Sequence, residues 1–253
     1  MRRSKLFIVV IIFMVTCSGP FVQAKNNNMM KTPKSAPIKT GDMDDPSGIK
    51  PIFPKKISCV QISSPYGSRT RYDGSLRPEN RFNGRHGGID LSLNPGTPLL
   101  AVASGKLVHK AMGNQMEGIY LWLLHSPDDT GLDYWVFSKY QHLQNLPTID
   151  MGDNVIKGQV IAYSGKTGTS GGHYGSKGYP HLHLSTIRSF SGKYLIENNE
   201  LLQKSALLFD PLLIFKQPHQ EIKKKVLIPY KDSSGKIRPE GSLTVWPVAC
   251  TLF

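Results

Sequence analysis

The chain has 253 residues, of which 39% are hydrophobic and 19% charged, with 24 Gly and 18 Pro; this globular composition excludes a collagen-like or wholly disordered chain, and the length is sufficient to bury a core. Three Cys exclude a disulfide-rich scaffold and a Cys-rich zinc module. With 31 basic against 18 acidic residues and a formal charge of +13, the chain favours polyanionic partners: nucleic acid, anionic lipid or an anionic cell wall.

The first 24 residues have the three-part pattern of a secretory signal. Basic residues occupy three of the first five positions, ten apolar residues follow without a break at 6–15, and Val22-Gln23-Ala24 offers the small or medium residues that a signal peptidase requires. The apolar run is half of the roughly 20 residues that a membrane anchor needs. We therefore predict cleavage after Ala24. Lipoprotein processing at Cys17 is the alternative, and Thr16 before it fits that processing poorly.

If the chain is exported, its basic charge favours a different set of binding partners. Removal of residues 1–24 leaves 28 basic and 18 acidic residues, so the processed chain is still basic. The exported compartment does not suit a nucleic-acid partner, and the sequence has no Arg-Gly-rich run or aromatic–basic interleaving. We predict no nucleic-acid partner and no stable membrane span after processing. A wall polymer or a membrane surface fits better.

The rest of the chain divides by composition. Residues 25–56 mix Asn, Lys, Pro, Ser and Asp with little apolar periodicity, and we interpret them as a linker or pro-segment. Over 57–215, short runs of β-branched and aromatic residues alternate with Gly, Pro, Asn and Asp turns. This spacing predicts a mainly β domain, an antiparallel β sandwich or barrel-like fold with little helix. The best helix candidate is Glu197–Leu208.

Residues 216–253 form a basic C-terminal extension. They contain two strand-like pieces, 226–230 and 243–246. These pieces predict either a strand added to the main sheet or a small appendage. The basic residues are interpreted as a solvated face or, alternatively, as a wall attachment site.

The cysteine count predicts a disulfide. Cys17 leaves with the signal, so Cys59 and Cys250 are the two thiols of the processed chain. In an oxidising compartment they should pair, which would join the extension to the first strand of the domain. The ring would span 191 residue steps, and the chain-entropy model gives an upper limit of about 5 kcal/mol of stabilisation. Two separate buried thiols are the alternative.

Four histidines and one aspartate form the candidate chemical site. His86 and Asp90 stand four apart around two glycines, His142 ends an apolar run, and His181 and His183 flank one leucine. In an extended strand the last two imidazoles share a face, while the alternating leucines face a core. A catalytic zinc takes three protein ligands from His and carboxylate and leaves a fourth position for water. The set therefore predicts a metal centre.

Together these motifs resemble the lysostaphin-type (LytM-like) zinc metallopeptidase family, whose members cut peptidoglycan. The resemblance runs from about residue 64 to 214. The matching pieces are Ser64–Arg69, His86–Leu91, Pro95–Pro98 with Ala101–Gly105, Tyr140–Leu143, Gly158–Ala162, Ser164–Gly168, His181–His183 and Asp210-Pro211. Many short motifs in the family's order make the resemblance specific.

The resemblance implies a role for each site residue. It assigns His86, Asp90 and His183 as ligands of Zn²⁺, and His142 and His181 as catalytic residues beside the metal. One imidazole would take a water proton and the other would steady the oxyanion. Which histidine does which stays open.

One departure from the family concerns residues 169–179, which intervene before His181 and are interpreted as an insertion that lines the groove and affects substrate preference. His173 within it is a substrate contact or a solvated loop residue. His109, His125 and His219 are interpreted as structural or surface residues.

The resemblance implies an exported zinc-dependent endopeptidase that hydrolyses peptidoglycan stem peptides or cross-links in the bacterial cell envelope, in the periplasm or outside the cell. The alternative is an inactive family member that serves as a wall-binding scaffold or an activator of other wall hydrolases. Because every motif position is kept, catalysis is favoured. A further hypothesis is that residues 25–56 cover the groove and hold the enzyme latent.

Overall fold

The computed structural model describes residues 43–113, 116–169, 179–197, 200–202, 206–216 and 224–252. The predicted signal (1–24) lies outside the described residues, as do residues 25–42 of the predicted linker, residues 170–178 of the predicted insertion, and His219. Within the described ranges, no helix has the length and apolar character needed to cross a membrane.

The described residues form eighteen strands and very little helix, which confirms the prediction of a mainly β chain. The helical elements are one turn of α-helix, α1 (Pro127–Thr130), and two 3-10 helices, Phe82–Gly84 and Pro211–Phe215. The strands are β1 (Lys50–Ile52), β2 (Ile57–Ser58), β3 (Ile62–Ser64), β4 (Ile89–Ser92), β5 (Pro98–Leu100), β6 (Gly105–Met112), β7 (Ile119–His125), β8 (Trp135–Gln141), β9 (Asn154–Val155), β10 (Val160–Tyr163), β11 (His181–Ser189), β12 (Leu195–Glu197), β13 (Glu200–Leu202), β14 (Leu207–Phe209), β15 (Lys225–Leu227), β16 (Tyr230–Lys231), β17 (Ile237–Arg238) and β18 (Thr251–Leu252).

One large antiparallel sheet organises the fold. Its strand order is β3-β4-β11-β8-β7-β6-β9, and β14 also pairs with β11. The long strand β11 is therefore central. Its first half pairs with β4 over His181–Leu184, and its second half pairs with β14 over Thr186–Arg188. The other edge of β11 pairs with β8.

The two faces of this sheet differ in character because side chains alternate along each strand. Leu182 and Leu184 of β11 are fully buried in the main hydrophobic core, together with Tyr140 of β8. The opposite face carries His183, and further along β11 it carries Ile187, which belongs to a second, smaller apolar cluster. The prediction that the leucines beside the histidines face a core is confirmed.

The helix predicted over Glu197–Leu208 is wrong. Strand β12 ends at Glu197, β13 pairs with it, and β14 covers Leu207–Phe209. Thr186 Oγ1 of β11 donates a hydrogen bond to the Phe209 carbonyl at 2.8 Å. Pairing with an open edge of the main sheet therefore outweighs local helix propensity, which is a weak determinant by itself.

Both ends of the described chain pack on the main core. Strand β1, inside the predicted linker, pairs in parallel with β15 of the C-terminal extension. The Trp246 side chain is fully buried, and its ring contacts those of Phe53 and Phe215 with centroids 5.5 and 5.3 Å away. Its indole nitrogen donates to the Val60 carbonyl at 3.1 Å. The extension thus supplies core side chains as well as basic residues.

A disulfide joins Cys59 to Cys250, which confirms the predicted pairing. The two Cα atoms are 4.6 Å apart, within the range that a disulfide requires. Both residues are buried in the main core. Strand β18 pairs with β2 directly beside the bond, with Thr251 opposite Ser58. The bond therefore ties the end of the chain to the start of the domain.

Loss of this disulfide should lower stability substantially. The ring spans 191 residues, so Cys59→Ser with Cys250→Ser should cost up to about 5 kcal/mol, or roughly 10–20 °C in melting temperature for a domain of this size. Thermal unfolding of the processed protein and of the double variant measures the effect. Titration of the denatured, unreduced wild type should find no free thiol. Two free thiols would show that the bond does not form.

Candidate metal centre

Three neighbouring strands place the polar side chains of the centre in one row. Asp90 on β4 lies directly opposite His183 on β11, and His183 lies directly opposite Gln141 on β8. His86 comes from the turn that precedes β4, and His142 directly follows the end of β8. The five predicted site residues thus come from three strands and their ends.

The three predicted ligands converge. His86 Nε2 lies 3.0 Å from His183 Nδ1, His183 Nδ1 lies 2.8 Å from Asp90 Oδ1, and His86 Nε2 lies 3.2 Å from Asp90 Oδ1. Tetrahedral zinc with ligand bonds of about 2.0–2.1 Å places its ligand atoms about 3.3 Å apart. The donor types and their spacing therefore fit a zinc ion.

A glycine allows this convergence. A Cβ atom on Gly88 would lie 2.4 Å from the Leu184 carbonyl oxygen and 2.9 Å from His183 Nε2. Any side chain at this position would therefore force β4 away from β11. Gly88 therefore serves this close approach, because a separation between β4 and β11 would pull Asp90 away from His183.

The outer nitrogen of each proposed histidine ligand is also held. His86 Nδ1 donates to the Pro65 carbonyl at 3.0 Å, and His183 Nε2 lies 2.8 Å from the Ser185 hydroxyl. A carbonyl oxygen can only accept, so the proton of a neutral His86 is on Nδ1 and a lone pair remains on Nε2. Such outer contacts orient the rings of metal-binding histidines.

The two predicted catalytic histidines are also held through Nδ1 by backbone carbonyls, as His86 is. His142 Nδ1 donates to the Thr167 carbonyl at 2.8 Å, and His181 Nδ1 donates to the Tyr179 carbonyl at 2.9 Å. Both rings therefore keep Nε2 as a proton acceptor. His181 Nε2 is 3.7 Å from Asp90 Oδ1. The ring centroids of His142 and His181 are 4.5 Å apart. The pair stands beside the three converging atoms.

The backbone at His142 is unusual. Its φ of 65° lies in the left-handed region, which residues other than glycine rarely adopt outside strained or functional positions. Thr167 braces this turn, because its Oγ1 donates to the Leu143 carbonyl at 2.8 Å and accepts from the Ile119 amide at 2.9 Å. The predicted motif Ser164–Gly168 therefore holds His142 in place.

Burial favours the neutral form of three histidines of the site, His142, His181 and His183, because it lowers the pKa of each. It lowers the pKa of His142 well below its usual value, with further contributions from His181 and His183. It also lowers the pKa of His181, and it lowers that of His183 to about 4 against the opposing effect of Asp90. Burial opposes ionisation of Asp90, but His86 and the hydrogen bond from His183 hold its pKa well below the usual range. Neutral imidazoles and an ionised carboxylate are the forms that bind metal.

Three contacts of the site have no signal in the sequence pattern. The Tyr179 ring stacks on His181 with centroids 4.8 Å apart, and Tyr72 stacks on Tyr179 at 3.8 Å. Arg77 Nη2 lies 3.7 Å from Asp90 Oδ2 and donates to the Ser64 hydroxyl at 2.9 Å. Tyr72 and Arg77 lie in the β3–β4 connection, and no local motif marks them.

The site opens into a cleft of about 270 Å³. The β3–β4 connection forms one wall, and Trp122 and Lys139 on the large sheet belong to the other. His109 and His125, predicted to be structural or surface residues, are buried and do not belong to this lining. His109 Nε2 is 3.2 Å from the Tyr120 hydroxyl, and His125 donates to the Ser104 carbonyl. His173, interpreted above as a substrate contact or a solvated loop residue, lies outside the described residues.

Comparison with known proteins finds a family model that matches part of this chain. Residues 84–195 match the family described as Peptidase family M23. Lysostaphin of Staphylococcus simulans is 35% identical over 109 residues, which are 43% of this chain and 19% of lysostaphin. An uncharacterized metalloprotease of Haemophilus influenzae is 34% identical over 126 residues, which are 49% of this chain and 22% of that protein. The matched region thus spans about a fifth of the length of these curated relatives.

A solved structure is also similar. The catalytic domain of the antimicrobial peptidase lysostaphin from Staphylococcus simulans has 26% sequence identity and a TM-score of 0.42. The alignment covers 61% of this chain and 90% of that domain.

Proposed function

We propose that this chain is an exported zinc-dependent endopeptidase that hydrolyses peptide bonds in peptidoglycan stem peptides or cross-links, as the match of residues 84–195 to peptidase family M23 supports. The observation that carries the proposal is the convergence of two imidazole nitrogens and one carboxylate oxygen beside two further neutral histidines. The place of action is the bacterial cell envelope, in the periplasm or outside the cell.

In this proposal His86, Asp90 and His183 hold one zinc ion per chain. Two neutral nitrogens and one carboxylate oxygen are a ligand set that zinc takes in catalytic sites, where three protein ligands leave a position open. When bound, zinc supplies Lewis-acid chemistry: it polarises a carbonyl oxygen and makes a water molecule more acidic.

His142 and His181 supply the proton chemistry. Each has its Nδ1 proton engaged by a backbone carbonyl, so Nε2 of one ring can accept the proton of the attacking water. Once protonated, an Nε2 donates to the leaving amine. The second ring, whose Nδ1 proton stays on its backbone carbonyl, steadies the oxyanion of the tetrahedral intermediate once its Nε2 has taken up a proton from solvent, because the nearby negative charge favours the protonated ring. The low pKa of both groups keeps an acceptor present at neutral pH.

Digestion of purified wall fragments tests the proposal directly. The processed chain with zinc should release peptide products whose masses identify the cleaved bond, and removal of zinc with a chelator should stop the release. Zinc analysis should give one ion per chain. A protein that binds wall fragments and zinc but never releases products would instead be the scaffold or activator named above. A protein without zinc, even after reconstitution, would contradict the metal assignment.

A further inference from the structure

The β3–β4 connection places several guanidinium groups along one wall of the cleft. Arg71, Arg77, Arg81 and Arg85 all line it. The chain turns sharply at Phe82 and Asn83, whose φ angles of 47° and 51° are both left-handed. This turn lets Arg81 and Arg85, on either side of it, line the same cleft.

These cations differ in what neutralises them. Arg85 Nη2 lies 3.0 Å from Asp45 Oδ1, and Arg77 Nη2 lies 3.7 Å from Asp90 Oδ2. On the opposite wall, Lys139 pairs with Glu117 at 2.5 Å.

Arg81 has no carboxylate within ion-pair distance among the residues that the structure describes. Its Nη1 lies 3.2 Å from the thioether sulfur of Met116, a weak acceptor. Among the cations that line the cleft, Arg71 also has no carboxylate partner in the described residues. Its guanidinium donates to the Leu76 carbonyl at 2.6 Å and to the Ser75 hydroxyl at 3.1 Å, so it stabilises its own loop.

Arg81 is also close in the chain to the metal centre. A Cβ atom on Gly87 would lie 2.8 Å from Phe82 Cε2, so the ring next to Arg81 packs on the segment between His86 and Asp90. A partly buried guanidinium that has no carboxylate partner in the described part of the chain favours an anionic ligand, and its planar fork matches a carboxylate.

We propose that Arg81 binds a free carboxylate of the substrate peptide and selects acidic wall peptides over neutral bridges. This inference rests on the proposed function, because it assigns the substrate class of the same cleft. A stem peptide carries free carboxyl groups, whereas a glycyl cross-bridge has no charged side chain. The cationic wall therefore points to cleavage in or beside stem peptides.

The test compares two chemically synthesised forms of one cross-linked stem peptide, with all carboxyl groups either free or converted to carboxamides. For the zinc-loaded processed chain, we expect kcat/KM to be about tenfold or more higher for the free form, the effect of one charge-assisted hydrogen bond. Arg81→Gln should bring this ratio close to one. Arg69→Gln is the matched control, since Arg69 lies in the same connection, pairs with Glu79 and does not line the cleft.

The outcomes separate this inference from the proposed function. A ratio near one in the wild type, or an unchanged ratio in Arg81→Gln, overturns the inference even when both peptides are cleaved. If neither peptide is cleaved, the proposed function fails, and calorimetric binding of the two forms to the same protein still measures the preference. Should Arg81→Gln not fold, Arg81→Lys replaces it: loss of the planar fork should reduce the ratio, and an unchanged ratio overturns the inference.

Discussion

Replacement of His183 by alanine should remove both the bound zinc and the peptidase activity. His183 Nδ1 lies 2.8 Å from Asp90 Oδ1 and 3.0 Å from His86 Nε2, so it is the nitrogen that the other two donors approach most closely. Without it, two protein ligands remain, fewer than catalytic zinc sites use. Zinc affinity should fall by more than about 100-fold, because even the loss of a contact behind a ligand costs 10- to 100-fold.

The variant should still fold. Leu182 and Leu184, on either side of His183, keep their places in the core on the opposite face of β11. His109→Ala is the matched control, because His109 is also a buried histidine on the large sheet but lies outside the cleft lining. Metal analysis, melting temperature and wall digestion of both variants make the comparison. A His183→Ala protein with the zinc content of the wild type would refute the ligand assignment.

The sequence was most informative where local geometry determines the outcome. Alternation along a strand puts His181 and His183 on one face whatever the strand pairs with, so their shared face and the burial of the leucines between and beyond them could be predicted. The Cys59–Cys250 bond followed from a count of two thiols. Neither prediction requires knowledge of how the strands pair in the sheet.

The parts that the sequence did not reveal depend on tertiary pairing. Residues 197–208 have apolar spacing that suits a helix, yet β14 adds to a free edge of β11, which no local pattern encodes. The bracing of His142 depends on the Thr167 carbonyl, a backbone group with no residue-type signature. Likewise, Tyr72 reaches the site only because the β3–β4 connection folds over Tyr179.

The surroundings of Gly87 and Gly88 also depend on tertiary contacts that the sequence does not show. Glycines at 87 and 88 allow backbone conformations that other residues avoid, so the sequence indicates a turn that lets His86 and Asp90 meet. The structure adds a second reason at Gly88, where the backbone of β11 leaves no room for a side chain. A sequence shows that small residues are present, but the neighbour that requires them appears only in three dimensions.

His142→Ala and His181→Ala should each keep zinc and lose turnover. The three atoms that converge on the metal position belong to His86, Asp90 and His183, so neither variant removes a proposed ligand. Each removes a neutral ring whose Nε2 is free to accept or hold a proton. The loss of one such transition-state partner costs about 10²–10⁴-fold in rate, and it should appear mainly in kcat because neither ring is proposed to bind the substrate in its ground state.

The two variants should differ in how strongly they disturb their surroundings. His142 lies at a left-handed turn and its Nδ1 donates to the carbonyl of the half-buried Thr167, so alanine there removes this hydrogen bond and should also lower the melting temperature slightly. His181 is covered by the Tyr179 ring, which can settle into the space that alanine leaves. Zinc content, kcat and melting temperature measured on both proteins, with His109→Ala beside them, separate chemistry from stability. If either variant loses its zinc outright, that histidine supports the metal directly and its assignment to proton transfer is wrong.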